Sequence, residues 1–78
     1  MTLGALSMAW VAAEAARPLG WVIVGVWLDQ EKRGKWQAVA NGPSGSAEVE
    51  IGHGGDPSQA LRRLAEALQK RRGAPASG

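Results

Sequence analysis

The chain predicts an α+β fold of order α-β-β-β-α, a three-stranded antiparallel sheet with two helices packed on one face. Three observations predict it. Residues 56–72 carry a capped, amphipathic helical stripe. Three short runs, at 21–29, 35–41 and 47–51, are rich in β-branched or alternating apolar residues and are separated by turn-forming stretches. Residues 2–16 are rich in alanine, leucine and methionine, with Pro18 just beyond them.

The first helix is expected over 2–16 because its residues are strong helix formers and no Gly follows Gly4 within it. Leu6, Trp10 and Ala13 share one stripe, and Met8, Val11, Ala12 and Ala15 share another. The apolar surface is therefore broad and built mostly of small side chains. Arg17-Pro18 ends the helix, because proline disfavours the α region for the residue before it. Leu19-Gly20 then turns the chain.

The run 21–29 reads as a strand through Val22, Ile23, Val24 and Val26. Its even positions are all aliphatic and are expected to face the core. Trp21, Ile23 and Trp27 occupy the other phase, which makes the strand apolar on both faces. Such a strand is covered on both sides or hides its second face in a partner. A polar loop, 30–34, makes a hairpin with Gly34 at the positive-φ position. The second strand, 35–41, alternates Trp36, Ala38 and Ala40 with Lys35 and Gln37, and 41–46 is a turn by composition. The third strand, 47–51, is expected to turn Ala47, Val49 and Ile51 inward and Glu48 and Glu50 outward, near Lys35. Gly52-His53-Gly54-Gly55 reads as the loop into the last helix.

That helix has a marked start. Asp56 is the N-cap, Pro57 the first helical residue, and Gln59 stands three after the cap. Leu61, Leu64, Ala65 and Leu68 form the i, i+3, i+4, i+7 stripe. Burying each leucine contributes roughly 1.5–3 kcal/mol before chain entropy is counted. Lys70, Arg71 and Arg72 complement the dipole at its end, and Gly73 stops it. Residues 1–73 are thus read as a single α+β domain and 74–78 as a disordered tail.

Size and composition limit the chemistry. A core in a chain of 78 residues rarely supplies more than about 3–5 kcal/mol without a disulfide, a metal or a partner subunit. There is no cysteine and one histidine, so disulfides and thiolate metal sites are excluded and no metal-ligand cluster can be assembled. Self-association is the aid that remains. No Lys or Arg precedes Arg17 and Glu14 interrupts the apolar stretch, so no signal peptide is expected and the protein is placed in the cytoplasm. The apolar run 21–28 is too short to span a bilayer, so no membrane partner is expected.

No catalytic residue, cofactor site or metal site is assigned. His53 has no second histidine near it in sequence, and Asp56 is better explained as a cap. The glycines at 52–55 lack a following Lys-Ser/Thr, and the Asp56 carboxylate occupies the helix N-terminus that a phosphate would need. Without a nucleophile, base and orienting group, an enzyme is not expected.

Two surfaces can bind. The first is the Trp21, Ile23 and Trp27 face, two Trp and an Ile on a strand face that the helices leave open, which marks a protein interface. The second comprises the cations Lys32, Arg33 and Lys35 on the hairpin with Arg62, Arg63, Lys70, Arg71 and Arg72 on the last helix. It is the alternative, a nucleic-acid surface whose binding would weaken with salt. The net charge of +2 favours the first.

The element order, with Gly52-His53-Gly54-Gly55 entering the last helix and Ala60-Leu61 and Leu64-Ala65 within it, resembles the double-stranded RNA-binding domain. In that family lysines open the last helix and a Gly-Pro-x-His element marks the first hairpin; here Asp56, Pro57 and Ser58, and Glu31 to Lys35, stand in those places. The resemblance implies the topology and an RNA- or DNA-binding alternative. Gly20-Trp21, Trp36 and Pro57-x-x-Ala60-Leu61 are similar to small phage and bacterial proteins of the ABA-sandwich type. The stretch Asp56-Pro57-Ser58-Gln59-Ala60-Leu61 is similar to the helix start in HicB-like antitoxins. These resemblances imply an accessory protein of a phage or mobile element. The expectation is a non-enzymatic interaction module that binds a protein partner or forms a homodimer.

Overall fold

A computed structural model describes residues 3–73. The order is α1 (Leu3–Ala16), β1 (Val22–Leu28), β2 (Trp36–Asn41), β3 (Val49–Gly54) and α2 (Pro57–Gly73), the expected α-β-β-β-α arrangement. The strands form an antiparallel sheet in the order β1-β2-β3. Residues 74–78, expected as a disordered tail, lie outside the described residues.

The turns are made by the residues best suited to them. Asp29 and Lys35 close the β1–β2 hairpin through a backbone bond of 2.8 Å, and the Asp29 carboxylate accepts from the Glu31 amide at 2.9 Å. Gly34 and Gly45 take positive φ in the two loops between strands. At the start of α2, Asp56 Oδ1 accepts from the Gln59 amide at 2.8 Å, while Gln59 Oε1 accepts from the Gly55 amide at 2.7 Å. The cap expected from the sequence is present, with its return bond moved one residue upstream.

The cross-strand register explains how the helices sit. Three rows of residues face inward: Ile23, Ala40 and Glu50; then Val26, Ala38 and Gly52; then Leu28, Trp36 and Gly54. Two of the three inward positions on β3 are glycines, and the middle row shrinks from Val26 through Ala38 to Gly52. Over β3 the helix α2 therefore drops onto bare backbone. A Cβ placed on Gly52 would stand 2.8 Å from the Leu64 Cα, and one on Gly54 would stand 2.7 Å from the Ala60 nitrogen. The helix α1 packs chiefly on α2 rather than on the sheet. The two helices run side by side in the same direction: Ala5 and Leu6 lie by Asp56 and Pro57, and at the other end Arg72 Nη1 donates to the Ala15 carbonyl at 2.7 Å.

Two strand phases differ from the sequence expectation. In β1 the pairing slips between Ile23 and Gly25, placing a bulge at Val24. Before the bulge the odd residues Trp21 and Ile23 point inward; after it the even residues Val26 and Leu28 do. Val22 and Val24, expected in the core, are exposed. In β3 the phase is the reverse of the one expected. Val49 and Ile51 face outward, while Glu50, Gly52 and Gly54 face the helix, and the strand runs through the glycines that read as a loop. A strand without a bulge, such as β3, keeps one phase for all its residues, and here the close seat for α2 at Gly52 and Gly54 outweighs burial of Val49 and Ile51.

The core that results is thin. Six of its buried apolar residues are alanines: Ala9, Ala13, Ala16, Ala38, Ala40 and Ala60. The larger buried side chains are Trp21, Ile23, Leu61, Leu64 and Leu68.

Candidate interaction surfaces

The outer face of the sheet carries no helix. Its three rows across the strands are Val22, Asn41 and Val49; Gly25, Val39 and Ile51; and Trp27, Gln37 and His53. None of these residues is an acid, a lysine or an arginine. Val22 is 58% exposed, Ile51 44% and Trp27 40%. The Trp27 ring folds back over Gly25, where an added Cβ would lie 3.5 Å from it, so the indole covers the one position in the middle row without a side chain. The bulge residue Val24 adds a further exposed aliphatic side chain. The face is apolar at its centre, with Asn41, Gln37 and His53 as its polar members.

This face differs in membership from the one expected. Trp21 and Ile23 were expected beside Trp27 on an uncovered surface, yet both are buried among the helices and only Trp27 lies outside. The bulge at Val24 is the cause, because it inverts the phase between Ile23 and Trp27. The members that sequence reasoning missed are Val22, Val24, Val39, Val49 and Ile51. One signal could have found the last two: Glu50 shares a phase with Gly52 and Gly54, and glycines at alternate positions before a helix mark the side on which that helix lies.

Trp21 is instead the anchor of a polar clasp. The Arg71 guanidinium stacks on its ring at 4.6 Å from the centroid. Arg71 Nη1 donates to Glu48 Oε1 at 2.8 Å and its Nε to Glu50 Oε2. The hydrogen bonds to Glu50 and then Glu48 push the guanidinium above its ordinary value, so its charge is constant over the working range. Glu48 and Glu50, expected to point away from the helices near Lys35, bind the end of α2 instead. Just beyond α1, Arg17 donates to the Trp21 carbonyl at 2.6 Å and pairs with Glu14 at 2.8 Å.

The cations of the nucleic-acid alternative are spread over the β1–β2 hairpin and the length of α2, and two of them are engaged in contacts within the chain. Lys32, Arg33 and Lys35 belong to the β1–β2 hairpin, at the end of the sheet where α2 begins. Arg62 and Arg63 are exposed in the first half of α2, and Lys70 is exposed in its last turns. Arg71 is committed to Glu48, Glu50 and Trp21, and Arg72 donates to Ala15. Seventeen helical residues span about 25 Å at 1.5 Å each, which separates the hairpin end from the basic end of α2.

His53 lies at the outer face's margin, in a shallow groove that it lines with Trp27, Asp29, Glu31, Lys32 and Gln37. Among the described residues, no group of three or more His, Asp or Glu side chains is placed to hold a metal ion. No helix among them is long and apolar enough to cross a membrane. A second apolar strip lies on α1, where Met8 is 74% exposed and Val11, Ala12 and Ala15 adjoin it. It corresponds to the second stripe read from the sequence. Trp10 and Trp36 are half-buried against the core.

Comparison with family models, with curated proteins and with solved structures returns no match to this chain.

Proposed function

We propose that the protein is a non-enzymatic protein–protein interaction module whose working surface is the outer face of its sheet. One observation carries the reading: the fold exposes more of its large apolar side chains than it buries. Among the described residues five are buried, whereas ten are exposed. Half of those ten, Val22, Val24, Trp27, Val49 and Ile51, lie on the open side of the sheet. Isolated exposed apolar residues are ordinary, whereas contiguous apolar patches are often functional and, above a few hundred Å², mark interaction sites. The neutrality of the face agrees, since charged residues are depleted at the centres of protein interfaces. An accessory role in a phage or mobile element is compatible with a small module of this kind.

The test is photo-crosslinking in the expressing cell. A benzophenone side chain introduced at Ile51 should yield a discrete protein adduct, and the same group at Val11 on α1 should not. Absence of any adduct from Ile51, Trp27 and Val49 alike would remove this surface from consideration.

A further inference from the structure

We propose that the free edge of β3, below the side of α2 that faces away from α1, docks an extended acidic segment of a partner protein as a fourth strand. This site adjoins the outer face and does not depend on it. The ladder shows which backbone groups are unused. Gly42 donates to the Glu48 carbonyl at 2.8 Å. In the same register the hydrogen-bonded pairs are therefore Ala40–Glu50, Ala38–Gly52 and Trp36–Gly54. Val49, Ile51 and His53 turn their N–H and C=O groups away from β2. Among the described residues, no backbone hydrogen bond outside the sheet reaches them. Alternating donors and acceptors at strand spacing are satisfied by one kind of occupant, another extended chain. The edge of β1 is broken by the bulge at Val24, whereas β3 has no bulge, proline or lysine.

The helix sets the charge of the occupant. Ala60 and Leu64 sit over Gly54 and Gly52, and α1 lies along the side of α2 that carries Ser58, Arg62 and Arg72. At about 3.6 residues per turn, Arg63, Ala67 and Lys70 fall on the opposite side and overhang the free edge. Arg63 and Lys70 are exposed, and neither forms a salt bridge among the described residues. Glu50, the acid on the helix side of β3, is already paired with Arg71. An added strand presents alternate side chains to this overhang and to the side of Val49 and Ile51. Acids suit the first set and aliphatic residues the second. A second copy is the wrong occupant. Two β3 edges paired antiparallel about a two-fold axis would bring Arg63 and Lys70 of each helix towards those of the other, a like-charge contact.

The experiment is fluorescence anisotropy of a labelled peptide of alternating Glu and Val, about eight residues long to cover β3, titrated with the full chain at low salt. Saturable binding that weakens with salt is expected, with new hydrogen-exchange protection at Ile51 and His53 and none in β1. The same peptide methylated on its backbone nitrogens should not bind, because it cannot complete the ladder. Replacing both Arg63 and Lys70 by alanine should weaken binding roughly 10-fold, while Trp27→Ala on the outer face leaves it unchanged. Circular dichroism confirms that each variant is folded, and the methylated peptide tests the unaltered chain. No binding up to about 1 mM overturns the proposal. So do undiminished binding of the methylated peptide, indifference to loss of the two cations, loss of binding in Trp27→Ala, and protection in β1 in place of β3.

Discussion

The Arg71 guanidinium lies 4.6 Å from the centroid of the Trp21 ring, held there by the carboxylates of Glu48 and Glu50. This contact ties the last turn of α2 to the first residue of the β1 region and to β3 at once. Arg71→Lys keeps the charge but loses the planar fork and most of the stacking. The expected result is a lower thermal midpoint with a changed near-ultraviolet dichroism of the tryptophans. An unchanged melt would show that the clasp adds nothing to stability.

Gly52 is the position least tolerant of a side chain. A methyl group there would stand 2.8 Å from the Leu64 Cα and closer still to backbone atoms of α2, none of which can rotate away. Gly52→Ala should cost about 1–3 kcal/mol, the usual range for overpacking. In a domain this small each kcal/mol lowers the midpoint by about 4–8 °C. Thermal melts followed by circular dichroism measure it, and a stability equal to that of the parent would refute the close seat of α2 on β3.

Trp21 and Trp27 separate the two faces of β1. Trp21 is 4% exposed, and its replacement by alanine should cost about 3–5 kcal/mol. Trp27 lies on the open face, and Trp27→Ala should change monomer stability by only about 0.5 kcal/mol. Urea denaturation at low protein concentration distinguishes them. Equal losses at the two sites would mean that the bulge at Val24 does not invert the strand.

The α2 cap gives a smaller effect. Asp56→Ala removes the acceptor for the Gln59 amide and should cost about 0.5–2 kcal/mol, whereas Asp56→Asn should be nearly neutral. Chemical denaturation of the two variants side by side provides the comparison. An alanine as stable as the asparagine would mean the bond contributes nothing.

How far the sequence was legible depended on the kind of signal. Local ones held: Pro57 and Asp56 begin α2, Gly34 takes positive φ in the hairpin, and the Leu61, Leu64 and Leu68 stripe is fully buried. Strand phase was legible in β2, where Ala38 and Ala40 are buried as expected, but not in β1 or β3, for two physical reasons. In β1 both phases are apolar, so alternation carries no information and the bulge at Val24 has no composition of its own. In β3 the hydrophobic pattern points one way and the packing geometry the other, and a pattern of hydrophobicity gives glycine no weight as a seat for a helix. The outer-face residues follow the same division: Trp27 lies on the face expected, while Trp21 and Ile23 lie on the other.

Element order, the antiparallel hairpins, the capped α2 and a first strand apolar on both faces can be read from the chain alone. These follow from spacing and turn chemistry within a few residues. Which apolar residues stay exposed is set by packing between elements. That depended on α2 settling onto Gly52 and Gly54, a contact between segments that meet face to face only once the sheet exists. The helix took the side of β3 that offered the shortest distance, and Val49 and Ile51 were turned outward to join Val22 and Trp27.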